Sequence, residues 1–468
     1  MNLTYLTTDN DKVNIAYYTA VSDIVANIKP MVNGSKSDNP VLIAGIDYYA
    51  PWTRDTAINV SNAGYLFPKV AVDTLMAVTK NENGKFIADG AYGQDWDSVI
   101  WVLGAWRTYL YTGDNKFLKS AYQIGVDSLE YYKNRSYNAK NGLFKGPACY
   151  GDGVAAYPDI YATKGESGIL AYAGEGKSGT SIDMYTLSTN CVYYGVYKAL
   201  DRMAEELGLE KLYADDTKQL KLQINNAFWN GNKGYYNYII DDFGGCDYFE
   251  GLGNAFAILF GIADNERAEK IFSSFPNSKC GYPCVYPSFK RYDVSGENEY
   301  GRHSGTIWPH IQSFWADASA KYGRRDCFDK EFNMLTNCAV RDGYFAEIYH
   351  PDTSLPYGGR QEDKCKGIIS WSSGKKQTWS ATGYLHMIFA NIIGMKFEKC
   401  GIAFKPYLLS GITILELTGF VVQNTEFDIT VRGKGSQIKR FTVNGEVSNG
   451  FVAYDGEKKT IEIELYDI

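Results

Sequence analysis

The feature that most constrains this chain is the rhythm of its connections. Apolar residues recur at helical spacing through the first 394 positions. The spacing predicts helices over about 11–28, 54–62, 67–79, 95–112, 114–133, 183–208, 211–229, 250–262, 264–274, 306–323, 326–340 and 376–394. In the first, Ile15, Tyr18, Ile24 and Ile28 are expected to form the apolar stripe. The most regular is 183–208, where Tyr193, Val196, Tyr197, Leu200, Met203 and Leu207 lie on one face and Gly208 is a natural stop. Links after even-numbered helices are short, as at 111–114, 207–210, 262–265 and 322–325. Links before them are long, roughly 30–53, 134–182, 230–249, 275–305 and 341–375. Long links inside a compact domain usually carry function. Six helical hairpins closed into a ring would gather every long link on one rim, which is an (α/α)6 barrel. An open α-solenoid gives the same alternation, but its repeats resemble one another more, and no fixed repeat length is present here.

After Gly394 the texture changes. Short β-type runs at Ile412–Leu417, Phe427–Arg432, Ile438–Val443, Phe451–Tyr454 and Thr460–Leu465 are separated by turn signals, notably Asn444-Gly445 and Asp455-Gly456. The expected architecture is mainly α: a barrel domain over 1–396 and a small antiparallel β-sandwich over 397–468.

Composition removes several function classes. Net charge is −7 with no Lys/Arg block, which argues against nucleic acid and anionic membranes as partners. No apolar run approaches the ~18 residues of a membrane span. The nine cysteines include no CxxC pair; Cys280 and Cys284 stand four apart with no second pair or nearby His to complete a zinc site. Thiols left unpaired, and an N-terminus MNLTYLTTDNDKVN without a basic then apolar leader, set a cytoplasmic expectation. Aromatic content is high, with 38 Tyr and 9 Trp, enough to line a surface that grips flat apolar faces such as those of sugar rings.

The long links concentrate the distinctive side chains. AGIDYYAPWTRDT carries Trp52, Arg54 and Asp55, and GAYGQDWDSVIW carries Asp95, Trp96 and Asp97. FKGPACYGDGVAAYPD holds Tyr150 and Asp152, and NEYGRHSGTIWPH holds His303 and Trp308. GYFAEIYHPD holds Glu347, and KKQTWSATGYL holds Gln377 and Trp379. A cleft of Trp, Tyr, Arg and carboxylates suits a neutral carbohydrate, because aromatics stack on ring faces while Asp, Arg and Gln pair with hydroxyls. Asp152, between two glycines, and Glu347, beside aromatics, are the candidate acid and base, since glycoside cleavage needs one carboxyl to protonate the leaving oxygen and another to activate water or attack carbon. Each has a plainer reading: Asp152 as an Asx turn, Glu347 as an ion-paired turn residue, Asp55 and Asp97 as helix-start carboxylates. Trp308 and Trp379 suit a core as well as a ligand platform. No metal or cofactor is required by such chemistry.

Several blocks resemble a known group. VLIAGIDYYAPWTRDTAINVSN, residues 41–62, resembles the opening segment of glycogen-debranching amylo-α-1,6-glucosidases and, more loosely, mannosyl-oligosaccharide glucosidases and trehalases. DWDSVIWVLGAWRTYLYTGD, SGTIWPHI and KKQTWSATGYL are similar to further segments of these families, in the same order. The resemblance implies an (α/α)6 glycosidase with Asp152 in the acid-bearing loop and Glu347 as the base. It also implies that Arg54, Asp55, Asp97, Trp308, Gln377 and Trp379 line the pocket for the terminal sugar. Cys149-Tyr150-Gly151 departs from the Trp-Met expected before the acid, and Tyr357–Arg360 with the Lys-rich 364–376 stretch departs from the usual approach to the last helix.

The leading expectation is an inverting, exo-acting α-glycosidase, glucosidase-like, acting on an oligosaccharide or other glycoside. Three alternatives stay open. A disaccharide phosphorylase would need cations such as Arg360, Lys364, Lys366, Lys375 and Lys376 around phosphate. A sugar epimerase would move protons with His303 and His350. A sugar-binding relative would show no turnover.

Overall fold

The computed structural model describes residues 4–30, 39–90, 95–162, 184–276, 278–293, 295–363 and 365–466. Parts of the expected long links, 31–38 and 163–182, and the candidate phosphate ligand Lys364 lie outside the described residues.

The chain is mainly helical. The expected helices are α1 (Asp11–Ala26), α2 (Thr53–Ala63), α3 (Pro68–Ala77), α4 (Trp101–Thr112), α5 (Asn115–Ser136), α6 (Leu187–Glu206), α7 (Ala214–Phe228), α8 (Gly251–Phe260), α9 (Asn265–Ser274), α10 (Pro309–Lys321), α11 (Arg325–Asp342) and α12 (Thr378–His386). Local chemistry explains several ends. Asn10 and Asp114 accept backbone N–H groups at the starts of α1 and α5, and Asp264 does so for α9. Pro309 opens α10. Gly113 closes α4 at φ 65°, a conformation glycine adopts without strain, and so makes the tight turn into α5.

The even-numbered helices pack in sequence, α2 on α4, α4 on α6, α6 on α8, α8 on α10 and α10 on α12, and α12 packs back on α2. Odd-numbered α3, α5, α7 and α11 each lie against one or two of these, and α1 covers α11 and α12. α2 and α4 approach closely at Gly104, where a Cβ would meet Ala57 Cα at 2.8 Å. α6 is buried nearly all round, and Tyr193, Val196, Tyr197, Leu200 and Met203 are in its core set as the periodicity predicts. α1 differs from expectation. Ile24 is buried as expected, but Ile15 and Tyr18 are exposed, and the helix buries Val13, Ala16, Tyr17 and Ala20 in their place. Small residues on that side let α1 sit close to its neighbours, so packing overrides the bulkier stripe.

The C-terminal region is β, as the texture predicts. A six-stranded sheet runs Tyr5–Thr8, Ile414–Val422, Thr425–Arg432, Lys459–Leu465, Ile438–Val443, Glu446–Val447. A three-stranded sheet joins Met395–Glu398, Gly401–Phe404 and Phe451–Ala453. Lys459–Leu465 alternates buried and exposed residues, burying Ile461, Ile463 and Leu465. The antiparallel expectation holds for these sheets except at one pair. Lys459–Leu465 returns to insert between two earlier strands and runs parallel to Thr425–Arg432. The first strand, Tyr5–Thr8, belongs to this sheet and pairs with Ile414–Val422. All nine cysteines are free thiols. Among the described residues no helix is long and apolar enough to cross a membrane.

Candidate active site

The N-terminal ends of the even-numbered helices carry the distinctive side chains. Trp52 precedes α2, with Arg54 and Asp55 in its first turn. Asp97 precedes the short 3-10 turn Ser98–Ile100 that leads into α4, Glu250 precedes α8, Trp308 precedes α10, and Gln377 precedes α12. Partly unsatisfied N–H groups at such ends give a local positive potential that favours carboxylates.

Arg54 ties two of the acids together. Its guanidinium lies 3.1 Å from Asp97 and 3.5 Å from Asp152, and it also donates to the Cys149 carbonyl. Burial pushes the Asp97 carboxyl up to about 6, against the pull of Arg54. Burial pushes Asp55 up to about 7, Arg54 opposes, and the nearby Asp152 and Glu347 charges add to the rise. Asp152, on the link between α5 and α6, behaves oppositely. Burial would raise it, but the His303 contact and the charges of Arg54 and Arg302 outweigh burial and hold it below the usual carboxylate range.

Glu347 sits on the link between α11 and α12, with only 5% of its side chain exposed. It accepts from Arg302 Nη2 at 2.7 Å, from the Tyr48 hydroxyl at 3.0 Å and from the Gly374 N–H at 3.3 Å. The Arg302 guanidinium lies over the rings of Trp308 and Trp371, 5.4 Å from each centroid. The next residue, His303, places Nε2 3.1 Å from Asp152 Oδ1 and stacks on Trp308 at 4.8 Å. Trp308 Nε1 donates to the Arg302 carbonyl at 2.9 Å, which fixes the Arg302-His303 segment from below. Trp379 stacks on His310 at 4.0 Å and meets Trp308 edge-on. Gln377 is buried beside Gly45 and Gly374, its Oε1 without a hydrogen-bond partner.

The structure thus brings together Arg54, Asp55, Asp97, Asp152, His303, Trp308, Glu347, Gln377 and Trp379. Trp52 is half-buried near the exposed ring of Tyr49. Tyr150 is buried beneath the loop and donates to the Cys284 carbonyl. Asp95 points elsewhere and faces Arg135 at 3.6 Å, while buried Trp96 donates to the Ala148 carbonyl and props up the Asp152 loop. The basic residues weighed as phosphate ligands are dispersed: Arg360 pairs with Glu299, and Lys376 faces Asp23. His350 lies between Tyr300 and Tyr357, with Nδ1 accepting from the Asp352 N–H.

Sequence reasoning missed Tyr48, Arg302 and Trp371. Tyr48 and Arg302 fall inside quoted blocks, beside Trp52 and His303, and block membership was their only signal. Among the described residues no group of three or more His, Cys, Asp or Glu side chains could hold a metal ion.

A family profile described as the mannosylglycerate hydrolase MGH1-like glycoside hydrolase domain matches residues 97–380. No curated protein matches the chain. Among solved structures, a sialidase superposes with a TM-score of 0.67 at 14% identity, over 97% of this chain and 41% of its own. The GH63 mannosylglycerate hydrolase from Thermus thermophilus in complex with glucose gives 0.60 at 14% identity, over 79% of this chain and 99% of that one. The GH78 rhamnosidase of Bacillus sp. GL1 gives 0.56 at 14% identity, over 100% and 44%. These are likenesses of fold, and the chain spans less than half the length of the sialidase. The profile match takes in more than half the chain, from Asp97 through Asp152 and Glu347 to Trp379, and on that match the protein belongs to the MGH1-like glycoside hydrolase domain family.

Proposed function

We propose that the protein is an inverting glycosidase that hydrolyses O-glycosyl bonds, with Asp152 as proton donor and Glu347 as the base that activates water. The even-numbered helices are read as the inner layer of an (α/α)6 barrel over 1–396, with 397–468 as its β-module. The observation that carries the reading is the shared anchor of the two carboxyls. Arg302 and His303, adjacent in sequence, contact Glu347 and Asp152 respectively. Their partner sets are otherwise distinct, Tyr48 and Gly374 on one side and Arg54 on the other. Separate anchoring is what an inverting pair requires, its carboxyls being held ~6.5–9.5 Å apart around a water molecule.

Three donors orient the Glu347 carboxyl, as a base that must face one water requires. Asp152 must gain a proton before it can give one. A sugar covering its part-exposed side chain strengthens its hold on a proton, and His303 is the neighbour placed to pass one. Gln377 and half-buried Trp52 suit the hydroxyls and face of one terminal hexose, with Trp308 and Trp379 packed behind them, hence an exo-acting enzyme. Its substrate class is a small neutral-hexosyl glycoside: α-glucosyl oligosaccharides fit the debranching-enzyme resemblance, and mannosylglycerate is what the Thermus relative's name describes.

The test is a panel of α-glucosyl oligosaccharides, mannosylglycerate and aryl α-rhamnosides, with the first-formed anomer followed by NMR. Asp152→Asn and Glu347→Gln are each expected to abolish turnover on the accepted substrate. Wild-type rates in either variant remove that assignment. Release of a sugar 1-phosphate only when phosphate is present would replace hydrolysis by phosphorolysis.

A further inference from the structure

Gln361 lies in the strand Arg360–Asp363, which forms a hairpin with Gly367–Ser370 on the link between α11 and α12. It is fully buried, yet neither Oε1 nor Nε2 has a hydrogen-bond partner. A buried amide left so costs about 1–3 kcal/mol, which a site tolerates where the group has work to do. Its surroundings say what that work is. A Cβ on Gly153 would run into Gln361 Oε1 and, at 2.8 Å, into His303 Cε1. The amide oxygen and the imidazole edge therefore converge on the glycine that follows Asp152. Neither His303 nitrogen completes a hydrogen bond: Nε2 lies 3.1 Å from Asp152 Oδ1, and Nδ1, on the other side of Cε1, has no partner at all.

We propose that Gln361 is a positioning residue for the proton donor: its amide oxygen, unpartnered in this structure, is the acceptor within reach of the His303 Nδ1–H, and closing that bond keeps the second imidazole nitrogen for a proton shared with Asp152. This rests on the hydrolase reading above and deepens it. A neutral imidazole has one N–H. Held on Nδ1, that hydrogen leaves the Nε2 lone pair facing Asp152, and the carboxyl can carry the acid proton. Held on Nε2, it is donated to Asp152, which is then fixed as a carboxylate and cannot act as acid. In the productive form the glycosidic C–O electrons pass to the leaving oxygen, which takes the Asp152 proton. Asp152 becomes a carboxylate, His303 stays neutral, and the attacking water gives its proton to Glu347. The charged and titratable groups facing the pair include Arg54 and Asp55 of α2, Asp97 before α4, Tyr150, Arg302, His310 of α10 and Glu347. Gly153 is explained by the same contact, since any side chain there would push the amide away.

Gln361→Met keeps the length and removes the acceptor; Gln361→Glu keeps an acceptor. The probes are methyl and 2,4-dinitrophenyl glycosides of the sugar the panel accepts. General acid assistance is worth about 10²–10⁴-fold, so Gln361→Met is expected to lower kcat about 10-fold or more on the methyl glycoside. On the dinitrophenyl glycoside, whose leaving group needs no proton, the loss should stay within about 3-fold, as general acid help is then redundant. KM should hold, the basic limb of the pH profile should move to lower pH, and Gln361→Glu should recover the methyl glycoside rate. Independently of any variant, 15N histidine shifts of the wild-type protein should report His303 protonated on Nδ1. A raised KM with kcat intact, equal losses on both probes, or an Nε2–H tautomer would overturn the proposal. Asp152→Asn run on the same two probes separates the failures: if it too loses both equally, the hydrolase reading falls first.

Discussion

Arg302 and His303 are consecutive residues that hold different carboxylates, Glu347 at 2.7 Å and Asp152 at 3.1 Å. One peptide unit thus couples the two halves of the site, and Trp308 Nε1 pins its start by bonding the Arg302 carbonyl. Disturbing this segment should affect both carboxyls together.

Arg302→Met tests the Glu347 half. Removing one member of a buried ion pair costs about 3–5 kcal/mol, because the other charge is left without compensation. The urea midpoint should fall accordingly, and adding Glu347→Gln to the same chain should restore part of the loss. An unchanged midpoint would mean that Glu347 is solvated once Arg302 is gone.

Tyr48→Phe removes one of the three donors to Glu347 while keeping the ring. A hydrogen bond to a charged group is worth about 1.5–3 kcal/mol, so kcat is expected to fall about 10- to 100-fold with the circular dichroism spectrum preserved. A steady-state assay on the accepted glycoside is the measurement.

Asp95→Asn should be nearly silent. Its partner is Arg135 at 3.6 Å, a loose and partly exposed pair, and such pairs contribute about 0–1 kcal/mol. Asp97→Asn, which loosens Arg54, should instead lower kcat/KM at least about 10-fold, the effect of a charge-assisted bond. Equal effects of the two variants would reverse the placement of this segment.

Glu250→Gln addresses stability and its dependence on pH. Glu250 is fully buried and accepts the Ser188 N–H, and burial pushes its carboxyl up to about 8. The folded protein therefore holds this proton where the unfolded chain has lost it. Stability falls as pH rises from the unfolded value near 4.5 through about 8, at up to roughly 1.4 kcal/mol per unit. Thermal melts at pH 5 and pH 8 should show Glu250→Gln close to wild type at the lower pH and more stable at the higher.

Much of this was legible in the sequence because it rests on local periodicity. The twelve expected helices and the change of texture after Gly394 follow from spacing and turn residues alone, and α6 is the clearest case; the short helix Asp159–Ala162 does not. The stripe expected in α1 held at Ile24 but failed at Ile15 and Tyr18, which are bulky but lie away from α11 and α12. Periodicity finds a face and cannot say which neighbour needs it. The strand Tyr5–Thr8 was invisible for a related reason, since its partner lies some 400 positions away. At the site, residues that stand out by type within Gly-rich loops were found. Arg302, Tyr48 and Gln361 were not, because their significance is relational: each matters through the side chain it faces across the chain.

The pairing of Tyr5–Thr8 with Ile414–Val422 also bears on biogenesis. A ribosome delivers the first strand long before its partner exists, so the edge of Tyr5–Thr8 waits unpaired while every helix is being made. Assembly cannot be completed strictly from front to back. That edge can be paired only once Ile414–Val422 has been made, and a chain stalled before Ile414 would present it to chaperones or to other nascent chains.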